Sequence, residues 1–284
     1  MLAKTPRFPY SPSDSMDLTI QIVHYNTPDL LRETLRSIRR AAPRLRYEVL
    51  VVDNNPLARL SPQIAAEFPD VQFLVAPRHL GFGGAQNYAF RHACGRHVLS
   101  FNPDIFPSYG SLESLVQFLD AHEDVGIVGA WLQNPDGSLQ HSCYRFDGLS
   151  IKILRRTPLR RHPWVAKKID RFMMVDSSHH HTMDVDWMMG SCLCVRRSLF
   201  ERLGGFDERF VMYFEDADLC RRAWKAGMRV VYHPAARMVH YHRREGSDGF
   251  VLWQLFRRTN RLHIQSWVKY LRKYGKEPHP RLFA

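Results

Sequence analysis

Five carboxylates crowd the segment from Phe206 to Arg222: Asp207, Glu208, Glu215, Asp216 and Asp218. Acids this close repel one another, so something must organise them: a divalent metal, an arginine, or a proton that moves. A helix N-terminus is the plainer account, because its unpaired amide N–H groups favour negative charge. Two more acids stand where chemistry could use them. Asp53 ends one apolar run, and Asn102-Pro103-Asp104 ends another. A carboxylate at a strand end can accept a hydrogen bond from a nucleobase N–H or a ribose hydroxyl. Asp104 is a hard oxygen ligand of the kind Mg2+ or Mn2+ takes, with phosphate and water completing the shell. Gly81, Gly83 and Gly84 precede a helical stretch and read as a loop that a ligand could approach closely. G-F-G-G is neither a P-loop nor a GxGxxG fingerprint, so kinase-like and nicotinamide-dependent classes lose support.

The elements that must position these residues follow from periodicity. Leu18 to Asn26 is a β-branched apolar run, a buried strand. Thr27, Pro28 and Asp29 then suit a helix start, and Leu30, Leu31, Thr34, Leu35 and Ile38 form one apolar face before Pro43. Tyr47 to Asn55 is a second strand, so the chain opens with a right-handed βαβ unit. Further strands are predicted at Val71–Pro77, before Asn102, and at Val125–Leu132, with helices between them. In such sheets the ligand sits at the carboxyl ends of the strands. Those ends carry Tyr25 and Asn26, Asp53 and Asn54, Gly81 to Gly84, and Asn102 and Asp104, which converge on one edge.

Beyond residue 132 the pattern changes. Ser142 to Met183 mixes basic and isolated apolar residues and reads as a mobile, partly helical insertion. The tract His179–His181 has no spaced acidic or cysteine partners and reads as incidental. Val185 to Arg197 is a turn into a strand, Asp216 to Gly227 a helix, Met228 to Pro234 a strand, and His240 follows a further extended piece. Phe250 to Lys276 is an amphipathic helix with an aromatic stripe and many cations. It suits docking on the domain, an anionic membrane interface, or both on different faces.

The bulk figures bound the class. The chain has 284 residues, 45% hydrophobic and 24% charged, with a net charge of +12. It is globular, with anionic partners expected: phosphates, nucleic acid or an anionic membrane face. Five cysteines match no zinc or disulfide spacing, which points to a reducing, cytoplasmic compartment. No apolar run is long enough for a transmembrane helix, and the proline-bearing N-terminus lacks a signal-peptide core.

Taken together, IVHYN with LLRETLRSI, EVLVVDNN, LGFGGAQNYAF, FNPD, the long run VDWMMGSCLCVRRSLFERLGGFDERFVMYFEDADLCRRAWKAG and the Pro234-to-His240 ending resemble family 2 glycosyltransferases with the GT-A fold, and among them the bacterial rhamnosyltransferase-like group. The likeness runs from about Asp17 to His242, in order. The first strand departs from it with His24 where the family often has Asn. The metal word is Asn-Pro-Asp rather than Asp-x-Asp, which removes one carboxylate.

The resemblance implies roles. Tyr25, Asn26 and Asp53 would hold nucleobase and ribose. Gly81 and Asn87 would lie near the ribose or diphosphate, with Asn102 and Asp104 at the diphosphate and metal. His240 would complete a Mg2+ or Mn2+ site. Trp187 and Gly190 would shape the donor-sugar pocket. Asp216 would be the base, with Glu215 and Asp218 as its environment or as acceptor contacts.

The expected fold is α/β: a single Rossmann-like mixed sheet flanked by helices, with a C-terminal amphipathic helix. Residues 1–16 form an irregular tail and 17–249 the catalytic domain. Within it, 17–132 is the nucleotide-binding half, 142–184 the basic insertion and 185–249 the acceptor half; 250–284 is the basic helix. The expected activity is inverting transfer of a sugar, with L-rhamnose from dTDP-L-rhamnose as the donor implied by the subgroup. The acceptor would be a saccharide or lipid-linked saccharide of a surface polysaccharide, met at the inner face of the cell membrane. A non-catalytic nucleotide-sugar binder would keep Asp53 but not need Asp216. A nucleic-acid-binding protein would leave Asp53, Asp104 and Asp216 without a role, so no nucleic acid is expected.

Overall fold

The computed structural model describes residues 16–41, 44–57, 59–146, 151, 158–241, 258–275 and 277–283. The N-terminal prolines, Pro43, the cations Lys152, Arg155 and Arg156, and Phe250 to Arg257 lie outside the described residues. The first half alternates as the periodicity requires. β1 (Leu18–His24), α1 (Pro28–Ala41), β2 (Tyr47–Asp53), α2 (Pro62–Glu67), β3 (Val71–Val75), α3 (Gly81–Phe90) and β4 (His97–Phe101) follow one another. Then come β5 (Ile105–Pro107), α4 (Ser111–Ala121), β6 (Val125–Gln133), β7 (Leu139–Gln140) and β8 (Cys143–Tyr144). The second half holds α5 (Pro163–Phe172), β9 (Met183–Asp184), β10 (Trp187–Met188), β11 (Cys192–Arg196), α6 (Arg197–Leu203), α7 (Glu215–Lys225), β12 (Arg229–His240) and α8 (Arg258–Tyr274).

The main sheet runs β3-β2-β1-β4-β11-β6-β12-β5. β3, β2, β1 and β4 are parallel neighbours, and β11 enters antiparallel between β4 and β6. β12 is parallel to β6, with β5 antiparallel to it at the edge. This is the expected mixed α/β sheet. The central strands are apolar along their length because helices cover both faces: Leu18, Ile20, Ile22, Leu50, Val51, Val52 and Leu99 are fully buried. Each such side chain contributes roughly 1.5–3 kcal/mol of burial.

Strand polarity fixes what reaches the edge. His24 and Asp53 pair at the ends of β1 and β2, and Cys192 pairs with Phe101, so the turn before β11 lies beside Asn102. His240, the last residue of β12, pairs with Ile105 at the start of β5. The strand expected to stop at Pro234 instead continues to His240. It absorbs the proline at a register shift between His233 and Arg237, where no ladder N–H is required.

The basic insertion is more built than its composition implied. β8 pairs with β10, Tyr144 stacks on Trp187 at 4.3 Å, and Phe172 at the end of α5 packs on both. Val165, Phe172 and Met174 are buried. His179 is buried as well, contacting Cys143 Sγ at 3.6 Å and the Met174 carbonyl at 3.0 Å. It is a packing residue.

Candidate active site

At the β1–β2 edge the imidazole of His24 organises the backbone. Its Nε2 accepts from the Thr27 amide at 3.1 Å, which leaves the proton on Nδ1, 3.3 Å from Asp53 Oδ1. Burial pushes the His24 pKa below its usual value, although Asp53 pulls the other way, so the ring is neutral near pH 7. Asp53 is 4% exposed, and its other oxygen accepts from the Leu60 amide at 2.7 Å. The carboxylate expected to meet a base or ribose is therefore turned into its own loop. What faces solvent here is Tyr25, edge-on to His79 at 5.3 Å, and Asn26, left-handed at φ 56° and bonded to Asn55 at 2.7 Å. Thr27, expected to cap α1, keeps its hydroxyl out of the cap.

Across the edge, the α1 hydroxyl of Thr34 donates to the Pro103 carbonyl at 2.8 Å, and the Asn102 amide donates to Ser191 at 2.9 Å. This fixes the Asn102-Pro103-Asp104 turn. Tyr241 N donates to the Asp104 carbonyl at 2.8 Å, which brings His240 to Asp104: Nε2 and Oδ1 are 3.3 Å apart. His240 is fully buried, and its Nδ1 is 2.6 Å from Gln140 Oε1. An amide oxygen only accepts, so Nδ1 donates to Gln140, and Nε2 faces the Asp104 carboxylate. Imidazole plus carboxylate, brought this close, is an appropriate donor set for Mn2+ or Mg2+. Two side chains leave the remaining ligands to diphosphate and water.

Asp216 sits one residue inside α7, 8% exposed. Its Oδ2 accepts from the Gly190 amide at 3.1 Å and its Oδ1 from the Ala217 amide at 2.8 Å. Gly190 is held in turn by Ser100, whose hydroxyl donates to its carbonyl at 3.0 Å. The carboxylate is thus pinned to the Gly190-Ser191 turn before β11, whose Ser191 carbonyl accepts from the Asn102 amide. The chain reaches it through Tyr213 and Phe214, both left-handed at φ 70° and 69°. Each such non-glycine residue costs roughly 1–2 kcal/mol. The strain persists because Phe214 is fully buried and its carbonyl accepts from the Asp218 amide.

A family model described as glycosyltransferase like family 2 matches residues 16–263. The chain belongs to glycosyltransferase family 2. Among curated relatives, N-acetylglucosaminyl-diphospho-decaprenol L-rhamnosyltransferase of Mycobacterium tuberculosis is 31% identical over 239 residues, covering 79% of this chain and 76% of that one. Rhamnosyltransferase WbbL of Escherichia coli K12 is 27% identical over 272 residues, covering 89% and 91%. Among solved structures, GalNAc-T7 with UDP, GalNAc and Mn2+ superposes with TM-score 0.65 at 16% identity, covering 94% of this chain and 49% of its own. The mannosyltransferase PcManGT of Pyrobaculum calidifontis, with GDP-Man and Mn2+, gives 0.58 at 23% identity, covering 98% and 70%. The GT-A architecture is shared, and the protein is a glycosyltransferase.

Within this family 2 enzyme several residues do other work than expected. The glycines are the first turn of α3, not an open loop, and they admit protein rather than ligand. Gly81 has φ 73° and a Cβ there would lie 2.4 Å from the Val211 carbonyl, while Gly83 faces Phe206. Phe82 N donates to that Val211 carbonyl at 3.0 Å. Asn87 is bound by the Phe206 backbone, donating to its carbonyl and accepting from its amide at 2.8 Å each, so its amide is engaged on the segment before α7. Trp187 is 1% exposed, with its indole N–H on the Arg145 carbonyl and its ring packed on Tyr144 and Phe172.

Asp218 is fully buried and cannot touch an acceptor. It binds Arg222 Nε at 2.7 Å, Tyr274 Oη at 2.7 Å, and Lys273 Nζ. Glu215 remains beside Asp216 at the helix start, 7% exposed. Sequence reasoning passed over Gln140 and Ser100 and did not join Lys273 to Asp207 and Asp218. None carries a local pattern, since each acts through a contact distant in sequence.

Proposed function

We propose that the enzyme transfers a hexosyl group, L-rhamnose being the first candidate, from a nucleoside-diphosphate donor to a lipid-linked saccharide, with inversion, in the building of a surface polysaccharide. The observation that carries this reading is the pinning of Asp216 by the Gly190 amide at 3.1 Å beside the Asn102–Asp104 turn. The rhamnosyltransferase relatives, one named for a diphospho-decaprenol acceptor, support the donor and acceptor classes.

In this mechanism Tyr25 and Asn26 bind the nucleobase and ribose on the loop that His24 and Asp53 shape. Asn102 and Asp104 meet the diphosphate, and Asp104 with His240 would hold Mg2+ or Mn2+. When bound, that cation neutralises charge developing on the leaving diphosphate. Asp216 accepts the proton of the acceptor hydroxyl as it attacks the anomeric carbon from the face opposite the diphosphate. Gly190 N–H orients the carboxylate, and Glu215 adds negative charge beside it.

The test is a screen of nucleotide sugars for binding and for transfer to a short-chain prenyl-diphosphate N-acetylglucosamine. Asp216→Asn should keep donor binding and lose turnover. Failure of every nucleotide sugar to bind would end the reading.

The acceptor class makes an anionic membrane face a partner. No helix among the described residues is long and apolar enough to cross a membrane. The C-terminal helix was one candidate for this contact, but its Lys269 and Lys273 are engaged on the protein. The proposed contact is instead the segment 158–168, where Leu159 and Trp164 are 55% and 53% exposed among Arg160, Arg161, Lys167 and Lys168. Sedimentation with phosphatidylglycerol vesicles should drop for Leu159→Ser with Trp164→Ser; unchanged sedimentation would remove this surface from the proposal.

A further inference from the structure

We infer that α8 is part of the catalytic apparatus: Ser266 and Lys269 are positioning residues that hold the strained loop before Asp216 in its working shape. The inference rests on the reading of Asp216 as the base. The loop 207–214 crosses from the end of α6 to the start of α7 and carries few regular hydrogen bonds of its own. An Asx turn closes it at Asp207, whose Oδ1 accepts from the Arg209 amide at 3.1 Å. From there three of its carbonyls are taken by groups distant in the sequence. Arg209 O accepts from Lys269 Nζ at 2.7 Å, Val211 O from the Phe82 amide at 3.0 Å, and Met212 O from Ser266 Oγ at 2.8 Å. Two of these three carbonyls are thus held by α8.

The aromatic contacts follow the same course. His263 packs on Tyr213 at 4.8 Å and on Phe214 at 5.3 Å, and Tyr270 packs on Phe214 at 5.5 Å and Phe210 at 6.4 Å. His263, Ser266 and Tyr270 are buried, at the three- and four-residue spacing of one helix face. That face meets the two consecutive left-handed residues, Tyr213 and Phe214, that aim Glu215 and Asp216. An unbraced chain relaxes such residues toward negative φ, which would turn the first residues of α7 and carry the Asp216 carboxylate off the Gly190 amide. On the other side of the loop, Asn87 and Phe82 hold it to α3. The first half of the chain and the C-terminal helix therefore both hold this loop, α3 at Val211 and α8 at Arg209 and Met212. Lining up a base to within a fraction of an ångström is worth orders of magnitude in rate, so a brace outside the site acts on turnover without touching donor.

The experiment is a kinetic cycle on the full chain. Ser266→Ala with Lys269→Met should lower kcat about tenfold or more while the dissociation constant of the nucleotide sugar, measured by calorimetry, changes less than about twofold. Lys269→Arg, which can still donate to the Arg209 carbonyl, should restore most of the rate. In an Asp216→Asn background the same pair of substitutions should have no further effect on residual turnover, because the group they position is gone. An unchanged kcat in the folded double variant would overturn the inference. So would an equal, additive loss in the Asp216→Asn background, which marks a general loss of structure. If Asp216→Asn alone turns over like wild type, it is the base assignment that fails.

Discussion

Lys273, near the end of α8, donates to Asp218, near the start of α7, across 55 residues of chain. The carboxylate is fully buried, and the same ammonium reaches Asp207 Oδ2 at 2.7 Å. An acid in the middle of the most acidic stretch thus serves as the socket for a basic helix. Lys273→Met leaves Asp218 with Arg222 and Tyr274 only. Unfolding in urea should show a loss of about 3 kcal/mol, the low end for removing one partner of a buried pair, with a smaller loss for Lys273→Arg. An unchanged midpoint would mean that the pair contributes nothing to stability.

Asp216→Asn keeps the shape and the Gly190 N–H contact but cannot take a proton. Transfer should fall by about two to four orders of magnitude with nucleotide-sugar affinity retained. Single-turnover transfer beside calorimetry reads both; a variant within tenfold of wild type, roughly 1.4 kcal/mol of barrier, would exclude a base role.

Gln140 fixes the tautomer of His240 through the 2.6 Å contact at Nδ1. Removing metal with a chelator should weaken donor binding, and added Mn2+ should restore it. Gln140→Leu should raise the Mn2+ concentration needed for half-maximal transfer by about ten- to a hundredfold, as loss of a ligand's hydrogen-bond partner does. A metal titration identical to wild type would argue against His240 as a ligand.

Acid should loosen the docked helix through Asp207. Burial alone would raise its pKa, but hydrogen bonds from Arg209 and Lys273 outweigh burial and hold it well below the usual carboxylate range. A carboxylate depressed in the folded state contributes stability above its unfolded pKa, about 3.9. That contribution is lost as pH falls through the folded value. Between about pH 5 and pH 2 the wild type should therefore lose more stability than Asp207→Asn, measured by urea midpoints. Parallel curves would contradict the assignment.

The cysteines offer a simple check on the core. Burial pushes the thiols of Cys143, Cys192 and Cys220 up to about 12, and Cys194 is also fully buried, whereas Cys94 is exposed. Iodoacetamide on the native protein should label Cys94 alone, with the others reacting only after denaturation. Labelling of Cys192 or Cys194 under native conditions would contradict the packing of β11.

Much of this was legible along the chain. The strand and helix periods of residues 18–133 follow from local burial, and the polar residues ending β1, β2 and β4 follow from sheet polarity. The Asp104–His240 meeting was legible only through the family likeness, since 136 residues separate the two and no spacing rule joins them. The roles that changed are those decided by what lies opposite. Asp53, Asn87 and Trp187 were expected to meet a ligand, and Asp218 to set the environment of Asp216 or to touch an acceptor. In the structure each is engaged by protein: Asp53 by Leu60 and His24, Asn87 by Phe206, Trp187 by the Arg145 carbonyl, and Asp218 by Arg222, Lys273 and Tyr274, most of them distant in sequence.

The sequence by itself determined the α/β alternation, the acids and glycines available, and the cationic aromatic helix at the C-terminus. These rest on local propensity, hydrophobic period and composition, which need no partner to be read. Only the tertiary structure decided which of the five crowded acids faces the edge and which is a socket. Two residues of α7 give Asp216 and Asp218 quite different surroundings, because the helix rotates successive side chains by about 100° each and so turns the two roughly 200° apart. The first meets the Gly190 amide, the second the ammonium of Lys273. A carboxylate's role follows from the dielectric and the partner it is turned toward, and both are properties of the packed fold.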